Sequence, residues 1–318
     1  MGPGRICAWL VSIAFLAACS TTPPPDCAAQ SDIAELRQRL SPAAGEIPYG
    51  QGLLWRVDST DAPPSYVFGT AHSKDPRITR LARPVAAAFE TARSLTIEIV
   101  DTPESDRAVA QAVKIPGGQV ERLVGPERFR QIRAAGARYG LHPEALRQLK
   151  PWALYLLFAQ PPAELRSSRQ ALDFALQERA DQRGIPVYGL ESVVEQLAMF
   201  DDLDPSFQIA LLDEALAENW RVECWWQTIK DIYLARETGF YILLIEQMSA
   251  LDDPLYRAQI RDLLRAQVDE RNSRMVERMT QRLAEGGAFV AVGALHLPGH
   301  LGILNLLAAR GYRIFLVY

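Results

Sequence analysis

Tyr66-Val67-Phe68-Gly69-Thr70-Ala71-His72, a helix-forming stretch from Pro84 to Ala92, and Leu95-Thr96-Ile97-Glu98-Ile99-Val100 follow one another along the chain, and their order decides the fold class. The two flanking runs are short, apolar and rich in β-branched or aromatic residues, as strands are, and the stretch between them has the make-up of a helix. Strand, helix, strand is the order of an α/β unit, in which the two strands run parallel. Upstream, Leu53 to Val57 reads as another strand, and Pro63-Pro64 turns it into a hairpin with Tyr66-Val67-Phe68.

Downstream, the chain from about Pro103 to Arg183 is rich in helix formers. Pro143 and Pro151 mark helix starts there, and Pro161-Pro162 a break. Val187-Tyr188-Gly189-Leu190 is the next strand. A second helical region runs from about Pro205 to Ala284 and stops at Gly286-Gly287, after which Ala288 to Leu295 and Tyr312 to Tyr318 form two more strands. The expectation is an α/β fold: a central β-sheet whose strands lie at both chain ends and bracket the helical middle segments. No internal repeat of the roughly 20–50-residue kind is visible, which sets aside solenoids and propellers.

The composition agrees with a folded domain. Of 318 residues, 48% are hydrophobic and 23% charged, enough apolar material for a core. A formal net charge of -4 and a pI near 5.7 leave no basic footprint for nucleic acid.

The first residues read differently. Arg5 precedes an apolar run from Ile6 to Ala18 that is too short to span a bilayer as a helix, so it reads as an export signal. It ends in Leu16-Ala17-Ala18-Cys19, which resembles the lipobox of bacterial lipoproteins; a plain secretory signal cut after Ala18 is the alternative. On the lipoprotein reading, 1–18 is the signal and Cys19 the lipidated residue. Residues 19–44 are then tether and linker, including the stiff Thr21-Thr22-Pro23-Pro24-Pro25-Asp26, and the fold occupies 45–318. The expected location is the bacterial cell envelope, anchored at the outer membrane and facing the periplasm, since Ser20 rather than Asp follows Cys19. Cys27 and Cys224 would then lie where a disulfide is permitted. Without a Cys-x-x-Cys spacing, they make a poor metal site.

Two Gly-x-x-His tetrads carry the chemistry, Gly69-Thr70-Ala71-His72 and Gly293-Ala294-Leu295-His296. Each follows an apolar run, so each histidine is expected at the carboxyl end of a strand, where open α/β sheets bind ligands. Glycine clears space for a turn or a close approach, and imidazole supplies a metal ligand or a general base. One copy occurs by chance in many proteins; two in matched contexts point to a shared site.

Glu98 interrupts an apolar segment, where a carboxylate is costly unless paired or metal-bound. An edge strand with Glu98 facing water is the alternative. Glu191 ends its strand after a glycine, and it could instead support the helix from Val193 to Phe200 through the helix dipole. Arg271-Asn272 falls on the apolar stripe of Leu264, Val268, Met275, Met279 and Leu283, so either that helix approaches a site or Arg271 bridges two elements. Asp173 stands ahead of an amphipathic helix. His142 reads as a loop residue before a helix, His300 as a rim residue, and Trp220, Trp225 and Trp226 as packing.

In this order and spacing, Phe68-Gly69-Thr70-Ala71-His72, the strand with Glu98, Val187-Tyr188-Gly189-Leu190-Glu191, Glu270-Arg271-Asn272 and Val292-Gly293-Ala294-Leu295-His296-Leu297-Pro298-Gly299 resemble the TraB/GumN/PrgY family. The likeness covers about residues 48 to 318, and Leu172-Asp173 with Ala180 fits the same pattern. The resemblance implies a fold related to the erythromycin-esterase and ChaN-like group. It also implies kinship with the Tiki metalloproteases of animals, which use paired Gly-x-x-His motifs. That carries over to His72 and His296 as metal ligands, to Glu98 and Glu191 as ligands or acid/base groups, and to Arg271 and Asn272 as family positions.

Such a donor set suits Mn²⁺, Co²⁺, Zn²⁺ or Fe²⁺. The implied reaction is metal-assisted hydrolysis of a peptide or protein, with a carboxylate as base and Arg271 or Asn272 stabilising the oxyanion. No His-Glu-x-x-His, Gly-x-Ser-x-Gly or P-loop competes with it. The rival reading is a non-catalytic lipoprotein that captures a peptide, iron or haem.

Overall fold

The computed structural model describes residues 31–167, 170–248 and 254–318. The expected signal at 1–18, Cys19, the tether through 30 and Cys27 lie outside the described residues. Six strands are found among those described: β1 (Leu54–Asp58), β2 (Ser65–Thr70), β3 (Ser94–Ile97), β4 (Val187–Gly189), β5 (Ala288–Gly293) and β6 (Arg313–Leu316). They form one mixed sheet in the order β4-β3-β5-β2-β1-β6. β4, β3, β5 and β2 are mutually parallel, whereas β1 is antiparallel to both β2 and β6.

The expected hairpin is β1 and β2, with Leu54 opposite Phe68. The expected unit of strand, helix and strand is β2, the helix Arg83–Glu90 and β3. Its two strands are parallel but not neighbours, because β5, from the far end of the chain, pairs between them.

The chain divides into two compact units. One comprises Ala28–Val100, Arg169–Ser192 and Thr228–Tyr318 and holds all six strands. The other comprises, among the described residues, the stretches 101–167 and 193–227, and its regular elements are helices. In the helical unit Pro143, Pro151 and Pro162 each open a helix, where a missing N–H costs nothing. Cys224, in the same unit, is disulfide-bonded.

In the sheet unit the strand period of two sorts side chains onto opposite faces. Leu54, Phe68, Leu95, Ile97, Phe289 and Ala291 face one way, against Val85 and Phe89 of the helix Arg83–Glu90 and Leu172, Leu176 and Ala180 of the helix Leu172–Arg183. Trp55, Val57, Val67, Val290 and Val292 face the other way, against Met275, Met279 and Leu283 of the helix Arg271–Glu285 and Ile303 and Leu307 of the helix Ile303–Ala309. Fully burying each of the larger of these side chains, valine to phenylalanine, stabilises the fold by about 1.5–3 kcal/mol. β5 contributes to both faces and lies at the centre, so its residues from Ala288 to Val292 are all buried.

Several boundaries differ from the sequence reading. β3 stops at Ile97, so Glu98 lies just beyond the strand rather than on it. β5 stops at Gly293 and winds into a 3-10 turn, Ala294–His296. The helical region from Pro205 breaks into Pro205–Glu218, Val222–Ala235, Thr238–Met248 and Pro254–Leu264, then a π-helical turn Arg265–Glu270 that leads into Arg271–Glu285. A helix at Ser31–Ala44 precedes the expected start of the fold: its Leu40 and Ala44 pack on Ile232, Phe240 and Leu244, and Arg37 pairs with Glu237 at 2.6 Å. Among the described residues, no helix is long and apolar enough to cross a membrane.

Candidate active site

Because β4, β3, β5 and β2 are parallel neighbours, their carboxyl ends share one edge of the sheet. The residues that leave those ends are Glu191, Glu98, His296 and His72, in that order across the sheet. Four candidates far apart in sequence are thereby lined up by topology alone.

The two tetrads also touch. A Cβ on Gly69 would lie 2.9 Å from Leu297 Cδ1 and 3.0 Å from Ala294 Cα, so only glycine lets the end of β2 approach the turn that carries His296. A Cβ on Gly293 would lie 3.2 Å from Glu98 Oε1 and 3.4 Å from the His296 ring. Both glycines therefore serve close approach.

Strand parity sets which helix meets which residue. Glu98 falls on the face opposite Leu95 and Ile97, toward the helix that begins at Arg271. Its Oε2 accepts from Arg271 Nη2 at 2.6 Å and its Oε1 from the Gly293 N–H at 2.6 Å. Burial alone would push the Glu98 carboxyl up, but His296, Arg271, His72 and the Gly293 N–H outweigh it and hold the group well below the usual carboxylate range. Glu191 meets the same guanidinium: Oε2 lies 2.8 Å from Arg271 Nε and 2.7 Å from Nη2, and Oε1 is 3.4 Å from Arg274. Arg271 Nη1 donates to the Gln267 carbonyl at 3.1 Å. One buried cation thus lies between two buried carboxylates, the bridging role that the sequence left open for it.

Asn272 is fully buried and faces His296. Its Nδ2 donates to the Leu301 carbonyl at 2.8 Å, which turns Oδ1 toward His296 Nδ1 at 2.7 Å. An amide oxygen only accepts, so Nδ1 carries the proton and Nε2 the lone pair. Nε2 lies 3.8 Å from Glu98 Oε1. Burial, aided by Arg271, pulls the His296 ring down to about 4 against the opposing effect of Glu98, so it is neutral at pH 7.

His72 belongs to the other face. Its side chain is 39% exposed, and Nδ1 lies 2.9 Å from Asp173 Oδ2. Burial by itself would lower this ring, but the charge and hydrogen bond of Asp173 carry it up to about 9. Asp173 Oδ1 in turn accepts from Thr70 Oγ1 at 2.5 Å, and Tyr233 donates its hydroxyl to the Gly69 carbonyl at 2.9 Å. Thr70 and Tyr233 were not singled out in the sequence. The visible signals were a threonine inside the first tetrad and a carboxylate beside the apolar Leu172.

The remaining histidines stand apart. His142 belongs to the helical unit, where its Nδ1 caps the helix Pro143–Arg147 by accepting from Glu144 N at 3.3 Å. His300 is exposed, and its carbonyl accepts from Asn305. Trp226 donates to Glu164 at 2.8 Å, and Arg221 lies over the rings of Trp220 and Trp225.

For a metal ion, the imidazoles fit better than the carboxylates. Both rings are held from behind at Nδ1, the arrangement that fixes Nε2 as the ligating nitrogen in metalloproteins. Glu98 is the carboxylate beside them, whereas Glu191 is committed to arginines. Among the described residues, no three His, Cys, Asp or Glu side chains converge closely enough to hold an ion.

A family model described as the TraB/PrgY/gumN family matches residues 53–315. Metalloprotease TIKI2 of Danio rerio is 23% identical over 310 residues, covering 82% of this chain and 60% of that protein. The chain therefore spans about three-fifths of the length of this relative. No solved structure matches, so the expected kinship with erythromycin esterases and ChaN-like proteins rests on sequence resemblance alone.

Proposed function

The chain belongs to the TraB/PrgY/gumN family, and from that premise we propose that it is a metal-dependent hydrolase that cleaves peptide bonds. The observation that carries the proposal is the pair of Gly-x-x-His ends on adjacent parallel strands, each with its imidazole held at Nδ1. His72 and His296 would hold a divalent ion, with Glu98 beside them; histidine and carboxylate donors suit Mn²⁺, Co²⁺, Zn²⁺ or Fe²⁺. When bound, such an ion lowers the pKa of a water to near 7 and polarises a carbonyl.

The other groups take supporting roles. Arg271 has Nε and Nη2 on carboxylates and Nη1 on a carbonyl, so it orders Glu98 and Glu191 rather than reaching for an oxyanion. Asn272 fixes the His296 ring. The alternative, non-catalytic capture of a peptide, iron or haem, draws support from Arg271, whose hold on both glutamates takes them away from acid/base work.

We further propose that the protein is exported to the bacterial cell envelope and anchored through lipid on Cys19. Leu16-Ala17-Ala18-Cys19 supports the anchor, and the disulfide at Cys224 supports an oxidising compartment.

The test is to strip the protein of metal, add back each of the four ions, and measure cleavage of a peptide library. At least one ion should restore cleavage, and His72→Ala and His296→Ala should each lower it by about 10²-fold or more. Failure of the unaltered protein with every ion, together with tight haem or iron binding, would replace the hydrolase reading with the capture reading.

A further inference from the structure

We infer that Asp173 is a positioning residue of this site, gripping the Nδ1 side of His72 so that the ring presents Nε2 to the space it shares with His296. Asp173 stands in the first turn of the helix Leu172–Arg183 and is 8% exposed. Its Oδ1 accepts from Thr70 Oγ1 at 2.5 Å, which fixes the plane of the carboxylate and leaves Oδ2 at 2.9 Å from His72 Nδ1. Thr70 is the last residue of β2 and His72 follows two residues later, so a single carboxylate clamps both the strand end and the ring.

The surroundings of Asp173 are specific to that task. Among the described residues its polar partners are Thr70 and His72, one hydroxyl and one imidazole. A buried carboxylate with no lysine or arginine beside it is costly to keep. The helix N-terminus offsets part of that cost, and the Thr70 hydrogen bond and the positive charge of a protonated His72 at 2.9 Å offset the rest. A carboxylate is a pure acceptor, so it favours a proton on Nδ1 and places the lone pair of the neutral ring on Nε2.

The other tetrad is built on the same plan with a different residue. Asn272, from the helix on the opposite face of the sheet, accepts from His296 Nδ1 at 2.7 Å and is itself oriented by the Leu301 carbonyl. Each Gly-x-x-His histidine thus has a partner on a helix outside its own motif, Asp173 for one and Asn272 for the other. Partners of this kind fix ring orientation and tautomer, and their loss costs about 10–100-fold in metal affinity or activity.

This inference builds on the hydrolase reading, but its geometry is testable without metal or substrate. Long-range proton–nitrogen correlation spectra of the nitrogen-labelled full chain, followed across the titration of the rings, report which nitrogen of each histidine carries the proton; His72→Gln identifies the His72 signals. The unaltered protein should show His72 in the Nδ1–H form when neutral. Asp173→Ala should shift His72 toward Nε2–H and leave His142 and His300 where they were. Unchanged His72 signals in a folded Asp173→Ala protein, judged by circular dichroism, would overturn the inference. If the alanine variant does not fold, Asp173→Asn decides: with Thr70 holding the amide oxygen, the amide N–H would face Nδ1 and draw neutral His72 into the Nε2–H form, and His72 signals unchanged from the unaltered protein overturn the inference. Mn²⁺ affinity of the folded variant should fall about 10–100-fold. Peptide inactivity of the unaltered protein with every metal, alongside the expected His72 shift, would remove the hydrolase reading and keep the positioning role.

Discussion

At Glu98 and Glu191, two carboxylates are buried on neighbouring strand ends, an arrangement that is unfavourable unless a cation lies between them. Arg271 supplies it at 2.6 Å and 2.7 Å, with a side chain only 8% exposed. Removing one member of a buried pair leaves an uncompensated charge, which costs more than the pair itself contributes. Arg271→Met should therefore destabilise the protein by about 3–5 kcal/mol in urea unfolding. Arg271→Lys should recover only part of this, because one ammonium cannot match the planar fork that meets both carboxylates. Adding Glu98→Gln and Glu191→Gln to Arg271→Met should return most of the lost stability, since the charges then leave together. If Arg271→Met alone unfolds within about 0.5 kcal/mol of the unaltered protein, the cluster is not held together by charge. The arrangement also explains why the sequence was ambiguous at Arg271: a polar residue on an apolar stripe marks burial, but its partners come from strand ends some 80 and 173 positions away.

The elements meet where their glycines allow it. Gly69 needs no unusual backbone angle, yet a Cβ there would press on Leu297 and Ala294, the turn that carries His296. Gly69→Ala should push the two tetrads apart, lowering metal affinity together with stability, the latter by about 1–3 kcal/mol as in other overpacked sites. Gly45→Ala, where the nearest atom is the Pro42 carbonyl at 3.4 Å, should stay within about 0.5 kcal/mol of the unaltered protein. Equal metal binding by Gly69→Ala and the unaltered protein would break the link between the tetrads. The strands around these glycines were legible because buried parallel strands read as continuous apolar runs, as Phe289-Val290-Ala291-Val292 does. Their order was not: nothing local in β5 says that it inserts between β2 and β3. The helix Ser31–Ala44 was also missed, since Pro42 falls inside it and it follows a proline-rich tether, and it is held by contacts with Ile232, Phe240 and Leu244 from far downstream. Asp173 illustrates the same limit at the site, because its meaning lies in Thr70 and His72, about a hundred positions earlier.

On the scale of the chain, the sheet unit is assembled from three separate stretches, and the site draws on all of them: His72 and Glu98 from the first, Asp173 and Glu191 from the second, Arg271, Asn272 and His296 from the third. No single segment carries the chemistry, and pairings of this range form slowly, after much of the chain has already been ordered. The anchoring proposal, by contrast, depends on a few residues at the start that the site does not use. These two properties should therefore separate cleanly. In a bacterial host the unaltered protein should take up labelled fatty acid and sediment with membranes, whereas Cys19→Ser should do neither, because a lipid anchor holds a protein at the surface only through its buried acyl chains. The two forms should share the same thermal midpoint and the same metal affinity, as every site residue lies between Gly69 and Leu301, far from Cys19. Fatty-acid label retained by Cys19→Ser would refute lipidation at that cysteine, and a change in metal affinity without label would tie the first residues to the site after all.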